Sequence, residues 1–208
     1  MMQIHLLVPW INLNFLFVSL IMFVVPYIVS LMPAKLAENR GDAAWKLCKR
    51  LRAIGTLFMV IALFNMALWI WFPVPLLAWI INPTPWIGII LSIVVFVVPI
   101  PIWWKGMRDS GSECYEPSKQ SQMFGGIYNH IRHPQTLGEI SWFIAIPLFV
   151  NSLFLLIVSL VFFLFYIPIM IHVEEQDLIR RFGDAYRKYQ KRTGALFPKL
   201  GKSNKQEY

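Results

Sequence analysis

The chain alternates long apolar stretches with short polar segments. No Asp, Glu, Lys or Arg occurs in residues 1–34 or 53–104, and Glu139 is the only one in residues 134–173. A helix that crosses a bilayer needs roughly 20 apolar residues at 1.5 Å each. The first stretch is therefore long enough for one such helix and the second for two. The third stretch holds two only if they are short.

Turn residues divide the two longer stretches. A cluster of prolines around Asn82 interrupts the second stretch, because proline disfavours a continuing helix. Asn151 and Ser152 interrupt the third, and a tight polar turn between apolar segments predicts an antiparallel helix pair. We therefore predict an all-α integral membrane protein with about five transmembrane helices. They lie at residues 8–32, 53–72, 86–104, 134–150 and 153–172. The fourth is short enough to be a hairpin arm.

The positive charges predict the orientation of these helices. The chain is 57% hydrophobic and 14% charged, against about 25% charged in soluble domains. All 19 Lys and Arg lie in residues 35–52, in residues 105–132 or after residue 173. With five spans these segments share one face, which the positive-inside rule makes cytoplasmic. We expect a multi-pass protein with its N-terminus outside and its C-terminus in the cytoplasm.

The same charges indicate which partners the chain has. The basic loops can face the anionic headgroups of membrane lipids, and since no recognition motif accompanies the charge we expect no nucleic-acid partner. Cys48 and Cys114 fall in predicted cytoplasmic loops, so we expect reduced thiols and no zinc framework. His130 and His133 lie three residues apart but lack a third ligand, and we expect no metal site.

A polar segment precedes the fourth predicted helix. Two glycines, Gly125 and Gly126, allow a ligand to approach the backbone closely. Arg132 can grip a carboxylate or phosphate with two parallel bonds, and His133 titrates near neutral pH. Pro134 suits the first turn of a helix, which places both residues at a helix N-terminus that favours an anion. The alternative is an ordinary cap at the interface, with Arg132 on a lipid phosphate.

A second polar segment follows the last predicted helix. Acids at this depth, Glu174 and Glu175 among them, are costly unless they are paired or hydrated. In one alternative they begin an exposed helix, with arginines at salt-bridge spacing. In the other they face inward, which we expect of Glu175 more than of Glu174. An apolar stripe then predicts a basic amphipathic helix, interrupted near Gly183, that lies on the membrane or packs against the loops; its members are Leu178, Phe182, Tyr186 and Tyr189. Glu139 is either interfacial or faces a cavity.

Several motifs in order resemble the isoprenylcysteine carboxyl methyltransferases and their phospholipid N-methyltransferase relatives. The resemblance covers about residues 125–199. It lies in Gly126-Ile127-Tyr128, Arg132-His133-Pro134 with Gly138, a short apolar hairpin, Glu174-Glu175, Phe182-Gly183-Asp184-Ala185-Tyr186 with Tyr189, and Thr193-Gly194 with Leu196-Phe197-Pro198. One departure is Thr136, where the family usually has an aromatic residue. We divide the chain into a transmembrane region (1–120), a methyltransferase-like region (121–199) and a polar tail (200–208).

The resemblance implies methyl transfer from S-adenosyl-L-methionine to a lipophilic small-molecule or lipid-anchored acceptor. The cofactor would lie on the cytoplasmic side, within the final hairpin, the loop before it and the C-terminal segment. Arg132, Glu175 and Glu139 are the expected catalytic residues. The expected cofactor-binding residues are Gly126, Tyr128, Arg132, His133, Gly138, Glu174, Glu175, Tyr186 and Tyr189.

The chemistry of the acceptor decides whether a base is needed. A carboxylate or thiolate acceptor needs none, whereas an amine must lose a proton, for which Glu175 or His133 is the candidate. The main alternative is an NADPH-dependent reductase, because related membrane sterol reductases share an Arg-His-Pro segment and some have a Gly-Glu pair like Gly138-Glu139. The two glutamates followed by Phe182-Gly183-Asp184 favour the methyltransferase. A transporter or a purely structural protein fits less well, since there is no internal repeat and the polar clusters would have no use.

Overall fold

A computed structural model describes residues 2–119 and 125–199. The predicted polar tail at 200–208 lies outside the described residues. Within them the fold is all-helical, with no β-strand beyond two isolated bridges. The α-helices are α1 (Met2–Ser30), α2 (Pro33–Arg40), α3 (Ala43–Ala67), α4 (Pro85–Val97), α5 (Pro99–Ser110), α6 (Pro134–Phe149), α7 (Leu153–Phe182) and α8 (Asp184–Arg192). Short 3₁₀ helices lie at Leu68–Ile70, Pro75–Leu77, Gly111–Cys114 and Gly126–Asn129.

Several of these helices are long and apolar enough to cross a membrane. In the described part of the chain four stretches qualify, at Leu7–Ser30, Ala43–Ile70, Pro85–Cys114 and Leu153–Phe182. Helix α6 has 16 residues and is about 24 Å long at 1.5 Å per residue, shorter than a bilayer core of roughly 30 Å. The prediction of a membrane protein with several spans is confirmed, and the number of five crossings stays a prediction.

The bundle buries an aromatic and aliphatic core between α1, α3, α6 and α7. Phe23 of α1 stacks on Phe143 of α6, with ring centroids 6.4 Å apart, and contacts Tyr166 of α7 at 5.3 Å. Large apolar side chains such as Phe64 and Leu164 face outward instead. In water so much exposed apolar surface would drive association, whereas lipid tails accept it at no cost.

The predicted breaks occur where the sequence indicated. Helix α3 gives way to irregular backbone before α4 begins at Pro85, and α6 and α7 are separated by a tight turn. Asn151 adopts φ 55° there. Its side-chain nitrogen donates to the Asn82 carbonyl at 2.8 Å, and the Asn82 N–H donates to its Oδ1 at 3.1 Å. One residue pair therefore joins both polar turns at the same end of the bundle.

The last predicted span is longer than the sequence indicated. Helix α7 continues past residue 172 to Phe182, where Gly183, at φ 58°, ends it by donating its N–H to the Ile179 carbonyl at 2.8 Å. Glu174 and Glu175 thus lie inside a long helix, so the alternative in which they begin an exposed helix is wrong. The apolar stripe packs against the protein, because Tyr186 and Tyr189 of α8 are buried.

Candidate active site

Two polar segments meet at one end of the bundle. The Nε of Arg132 lies 2.6 Å from Oε1 of Glu175. The ring of His133 lies between two carboxylates, with Nδ1 3.0 Å from Glu174 Oε2 and Nε2 3.1 Å from Glu175 Oε1. The side chains of Arg132 and Glu175 are 11% and 13% exposed, so this ion pair is largely removed from water. The expectation that the helical hairpin returns the two segments to one face is met.

The end of α8 completes this network. Gln190 donates from Nε2 to Oε2 of Glu175 at 2.7 Å, and its carbonyl accepts from Nη1 of Arg132 at 3.2 Å. Nη1 of Arg132 also donates to the Thr193 carbonyl. Both oxygens of Glu175 are therefore occupied by protein groups. The sequence predicts neither Gln190 nor Thr193 as a site residue. Gln190 is not distinctive in type or spacing, and Thr193 belongs to a motif of the resemblance that came without an assigned role.

The chain after α8 returns to the Arg132–His133 segment. The backbone N–H of Arg132 donates to the Gly194 carbonyl at 2.9 Å, and that of His133 donates to the Ala195 carbonyl at 3.0 Å. Gly194 forms an isolated parallel bridge with Ile131. A side chain at this glycine would collide with the Phe197 carbonyl, which gives a structural reason for the Thr-Gly motif.

The surroundings of His133 favour its charged form. Burial opposes protonation, but the hydrogen bonds to Glu174 and Glu175 outweigh it and raise the pKa of His133 to about 9. At neutral pH both ring nitrogens then carry protons and donate to carboxylates. A protonated histidine between two acids cannot accept a further proton, so His133 is unsuited to act as a base.

Three predicted tyrosines pack side by side next to this network. The Tyr189 hydroxyl donates to the Tyr128 carbonyl at 2.6 Å, and the Tyr128 hydroxyl donates to the Gly106 carbonyl at 3.3 Å. Tyr186 lies 5.6 Å from Tyr189, between ring centroids. Burial raises the pKa of all three phenols, so they stay neutral and present aromatic faces and hydroxyls.

A pocket joins these groups to the membrane bundle. The space between its walls, with the open mouth included, is about 810 Å³. The walls come from α1–α3, α5–α8 and the segments after α5 and before α6. The lining residues include Tyr27, Arg52, Tyr128, Arg132, His133, Thr136, Glu139, Met170, Glu174, Tyr186 and Tyr189.

Only some of the predicted site residues line the pocket. Glu174 and Glu139 line it, whereas Glu175 lies behind Arg132 and His133 and holds them. Gly126 and Gly138 are not among its lining residues. A side chain at Gly126, which has φ 58°, would meet the Asp109 carboxylate, and one at Gly138 would meet the Trp103 indole. Both glycines thus permit close packing of their neighbours.

The N-terminal helices also contribute to the pocket, which sequence reasoning missed. Tyr27 donates to Glu139 Oε1 at 3.4 Å. Arg52 donates from Nη1 to the Glu113 carbonyl at 2.8 Å and from Nη2 to the Ser30 carbonyl at 3.2 Å, and so ties α3 to two other segments. In the sequence alone, an arginine and a tyrosine near the ends of predicted transmembrane helices do not indicate a binding site. Within residues 2–119 and 125–199, no group of three or more His, Cys, Asp or Glu could hold a metal ion.

Comparison with known proteins defines the class of this site. Residues 83–185, which run from the start of α4 into α8, match the family model of the phospholipid methyltransferases. The predicted resemblance to a family of membrane methyltransferases is thereby confirmed. The reductase alternative is not favoured.

The curated relatives carry more particular names. The chain is 29% identical over 145 residues to the methanethiol S-methyltransferase of Pseudomonas deceptionensis, a match that covers 64% of this chain and 53% of that protein. It is 36% identical over 90 residues to methanethiol S-methyltransferase 1 of Bradyrhizobium diazoefficiens, covering 42% of this chain and 29% of that protein. The chain therefore spans about half the length of the first relative and less of the second. No solved structure gives a significant match.

Proposed function

We propose that the protein is an S-adenosyl-L-methionine-dependent methyltransferase that acts at the membrane on a small lipophilic thiol. The observation that carries the proposal is the buried network of Arg132, His133, Glu174 and Glu175 beside a pocket, in a chain similar to membrane methyltransferases. The thiol is taken from the names of the two curated relatives.

The chemistry of the lining residues fits the methyl donor. S-adenosyl-L-methionine carries a carboxylate, an ammonium group, ribose hydroxyls and an adenine ring. The contacts of Arg132 within the described residues use Nε and Nη1, so the two N–H groups of Nη2 remain for a carboxylate. Glu174 lines the pocket and can accept from the ammonium group or the hydroxyls, and the buried tyrosines can stack on the adenine. When bound, the donor supplies a methyl group on a positively charged sulfur.

The protein has to hold the two reactants in line and exclude water from them. Such positioning can contribute about 7–11 kcal/mol to lowering a barrier. Glu175 would act as a positioning residue, because it fixes Arg132 and His133 while both of its oxygens are occupied by protein groups. This differs from the catalytic role expected of Glu175 from the sequence.

A phospholipid amine is the second candidate acceptor. It is favoured by the description of the family that residues 83–185 match. The outward apolar surface of the helices would bring a lipid headgroup to the end of the bundle at which the pocket lies. Detergent-purified protein with methyl-labelled donor, offered methanethiol or ethanolamine phospholipid, distinguishes the two acceptors by where the label appears.

The proposed donor site is tested by binding rather than by turnover. Arg132→Ala should weaken S-adenosyl-L-methionine binding roughly ten- to hundredfold, because a hydrogen bond to a charged group contributes about 1.5–3 kcal/mol. Glu175→Ala should also weaken it, because Arg132 and His133 lose the carboxylate that holds them. Isothermal calorimetry on detergent-purified protein gives the dissociation constants, with folding checked by size exclusion.

Lys188→Ala provides the control for these substitutions. Lys188 is exposed on α8, and surface charges contribute little, so donor affinity should change by less than about twofold. Wild-type affinity in both Arg132→Ala and Glu175→Ala would reject the donor site. Saturable binding of NADPH in place of the methyl donor would favour a reductase.

A further inference from the structure

Glu139 carries a buried carboxylate oxygen that the described protein does not satisfy. Its Oε1 accepts from the Tyr27 hydroxyl, whereas its Oε2 has no hydrogen-bond partner among residues 2–119 and 125–199. Leaving a buried polar group unpaired is unfavourable, and more so for a charged group, so such an atom calls for an explanation. Because Glu139 also lines the pocket, a ligand is the simplest partner.

The part of the pocket around Glu139, its compartment, is lined by Tyr27 of α1 and Met170 of α7. The hydroxyl of Tyr166 is likewise buried without a partner in the described ranges, and it lies within electrostatic range of Glu139 and Tyr27. The other charged groups near Glu139 are Glu174 and Arg52. Glu174 is paired with His133, and the guanidinium of Arg52 is held by backbone carbonyls. No described cation forms an ion pair with Glu139.

The other candidate bases of the site are already occupied. His133 is held in its protonated form by Glu174 and Glu175, and both oxygens of Glu175 accept hydrogen bonds from protein groups. Glu174 forms an ion pair with the charged His133. Glu139 therefore combines a place in the pocket with a buried oxygen that is available to a proton.

We propose that Tyr27, Glu139 and Tyr166 form the acceptor subsite and that Glu139 takes the proton of a small thiol. The proposal rests on the methyltransferase function proposed above. The thiol sulfur forms a bond to the donor methyl carbon while the bond from that carbon to the donor sulfur breaks, leaving its electron pair on the donor sulfur. The S–H bond of the thiol breaks at the same time, and the proton passes to Oε2 of Glu139.

The chemistry of the compartment favours a thiol over an amine. A neutral thiol enters an apolar bundle at much lower cost than a charged ammonium group. Sulfur also makes favourable contacts with aromatic rings. The ring of Tyr27 lines the compartment, and the rings of Tyr27 and Tyr166 both pack against Phe23. Tyr27 lies outside residues 83–185, the part that matches the family model. The choice of acceptor would thus depend partly on the N-terminal helices.

Two thiols of similar size and different acidity test the role of Glu139. Ethanethiol holds its proton tightly, whereas 2,2,2-trifluoroethanethiol gives it up readily. Glu139→Gln should lower kcat/KM for ethanethiol by about 10²- to 10⁴-fold, the usual contribution of a general base, and should lower it far less for the fluorinated thiol. Donor affinity should change by less than about twofold. Calorimetric binding of ethanethiol without the donor should weaken by no more than about tenfold, because the amide oxygen of the glutamine can still accept a hydrogen bond but lacks the charge.

Matched variants separate this role from a general loss of structure. Glu116→Gln and Tyr115→Phe make the same chemical changes at exposed positions. They should leave kcat/KM, donor affinity and ethanethiol affinity unchanged. Tyr27→Phe should reduce ethanethiol binding. Glu139→Asp keeps a carboxylate, so it should recover part of the ethanethiol rate, and it replaces Glu139→Gln if that variant does not fold.

Failure of the acceptor subsite and failure of the proposed function give different results. Equal losses for both thiols, or no loss, would overturn the proton-accepting role of Glu139. Transfer to ethanolamine phospholipid but to neither thiol would overturn the thiol subsite and leave the methyltransferase standing. A wild-type protein that neither binds the donor nor methylates any acceptor would overturn the proposed function itself.

Discussion

At the scale of single residues, the position of His133 has consequences for stability. Its imidazole is buried between Glu174 and Glu175, and its pKa is raised to about 9 because the two hydrogen-bonded carboxylates outweigh the effect of burial. The pKa of a free histidine is about 6.5. Folding therefore favours the protonated form, and the resulting stabilisation is complete below about pH 6.5 and is lost as the pH rises through about 9.

This linkage predicts an alkaline loss of stability. A shift of this size corresponds to at most about 3 kcal/mol, so the thermal unfolding midpoint in detergent should fall as the pH is raised from about 6.5 to about 9. In His133→Gln the side chain stays neutral at every pH, so the fall in the unfolding midpoint between about pH 6.5 and 9 that His133 causes should disappear. At about pH 6.5 this variant should be less stable than the wild type. His130→Gln, at an exposed histidine three residues earlier, is the control. The same pH slope in His133→Gln as in the wild type would contradict the assignment.

At the scale of helices, small residues set how closely α4 and α5 approach α6. A Cβ at Gly88 would meet the Leu148 backbone, one at Gly106 would meet Pro134, and one at Gly138 would meet the Trp103 indole. Small residues at helix interfaces let backbones approach in membrane proteins. The polar loop before α6 is held against the end of α5 by this packing.

Gly138→Ala should therefore act on stability first. The added methyl group has no room beside Trp103, and overpacking costs about 1–3 kcal/mol, which exceeds the gain of up to about 1 kcal/mol in helix propensity. We expect a lower unfolding midpoint in detergent, measured by a thermal shift assay. Gly125→Ala is a matched control, since nothing lies within 4 Å of the added atom and its φ is −102°. A normal midpoint with weakened donor binding would instead support the contact with the cofactor that the sequence predicted for Gly138.

At the scale of the whole molecule, the basic segments gather at one end of the bundle. Lys49 lies 2.8 Å from Glu116, and the buried Arg181 lies 2.7 Å from Glu113, so the start of α3, the segment after α5 and the end of α7 are joined. The turns at Asn82 and Asn151 contact each other instead. The charge distribution and the fold agree on which segments lie together, and from the positive-inside rule we predict that the basic end faces the cytoplasm.

Labelling of single cysteines tests this orientation. In a background with Cys48→Ala and Cys114→Ala, cysteines introduced at Lys46 and Lys119 should react with an impermeant maleimide only from the cytoplasmic face, and one at Asn151 only from the other face. Wild-type donor binding by each labelling variant shows that the fold is retained. Reaction of the Asn151 cysteine from the cytoplasm would mean that the short α6 and its partner re-enter the membrane without crossing it.

The sequence by itself determined the long apolar helices, the breaks near Asn82 and Asn151, and the residue types of the site. It did not predict α2, the start of α3 at Ala43 or the division of the predicted span 86–104 into α4 and α5. Apolar stretches with few charges, the proline cluster around Asn82 and the Asn151-Ser152 turn act locally, so each can be recognised without knowing what it packs against. The motif around Arg132 and His133 and the pair Glu174-Glu175 were recognisable for the same reason. The end of α7 was placed too early, because the charged residues after 172 end the apolar signal without ending the helix.

Only the tertiary structure decided which of these residues contact each other. Glu175 meets Arg132 across 43 positions of the chain, and Tyr27 meets Glu139 across 112. Nothing local specifies such pairs, because they depend on how α1, α6 and α7 pack and on where α8 returns. The same packing gives both oxygens of Glu175 hydrogen-bond partners and leaves Oε2 of Glu139 without one among residues 2–119 and 125–199. The amino-acid types alone do not contain this difference between two glutamates.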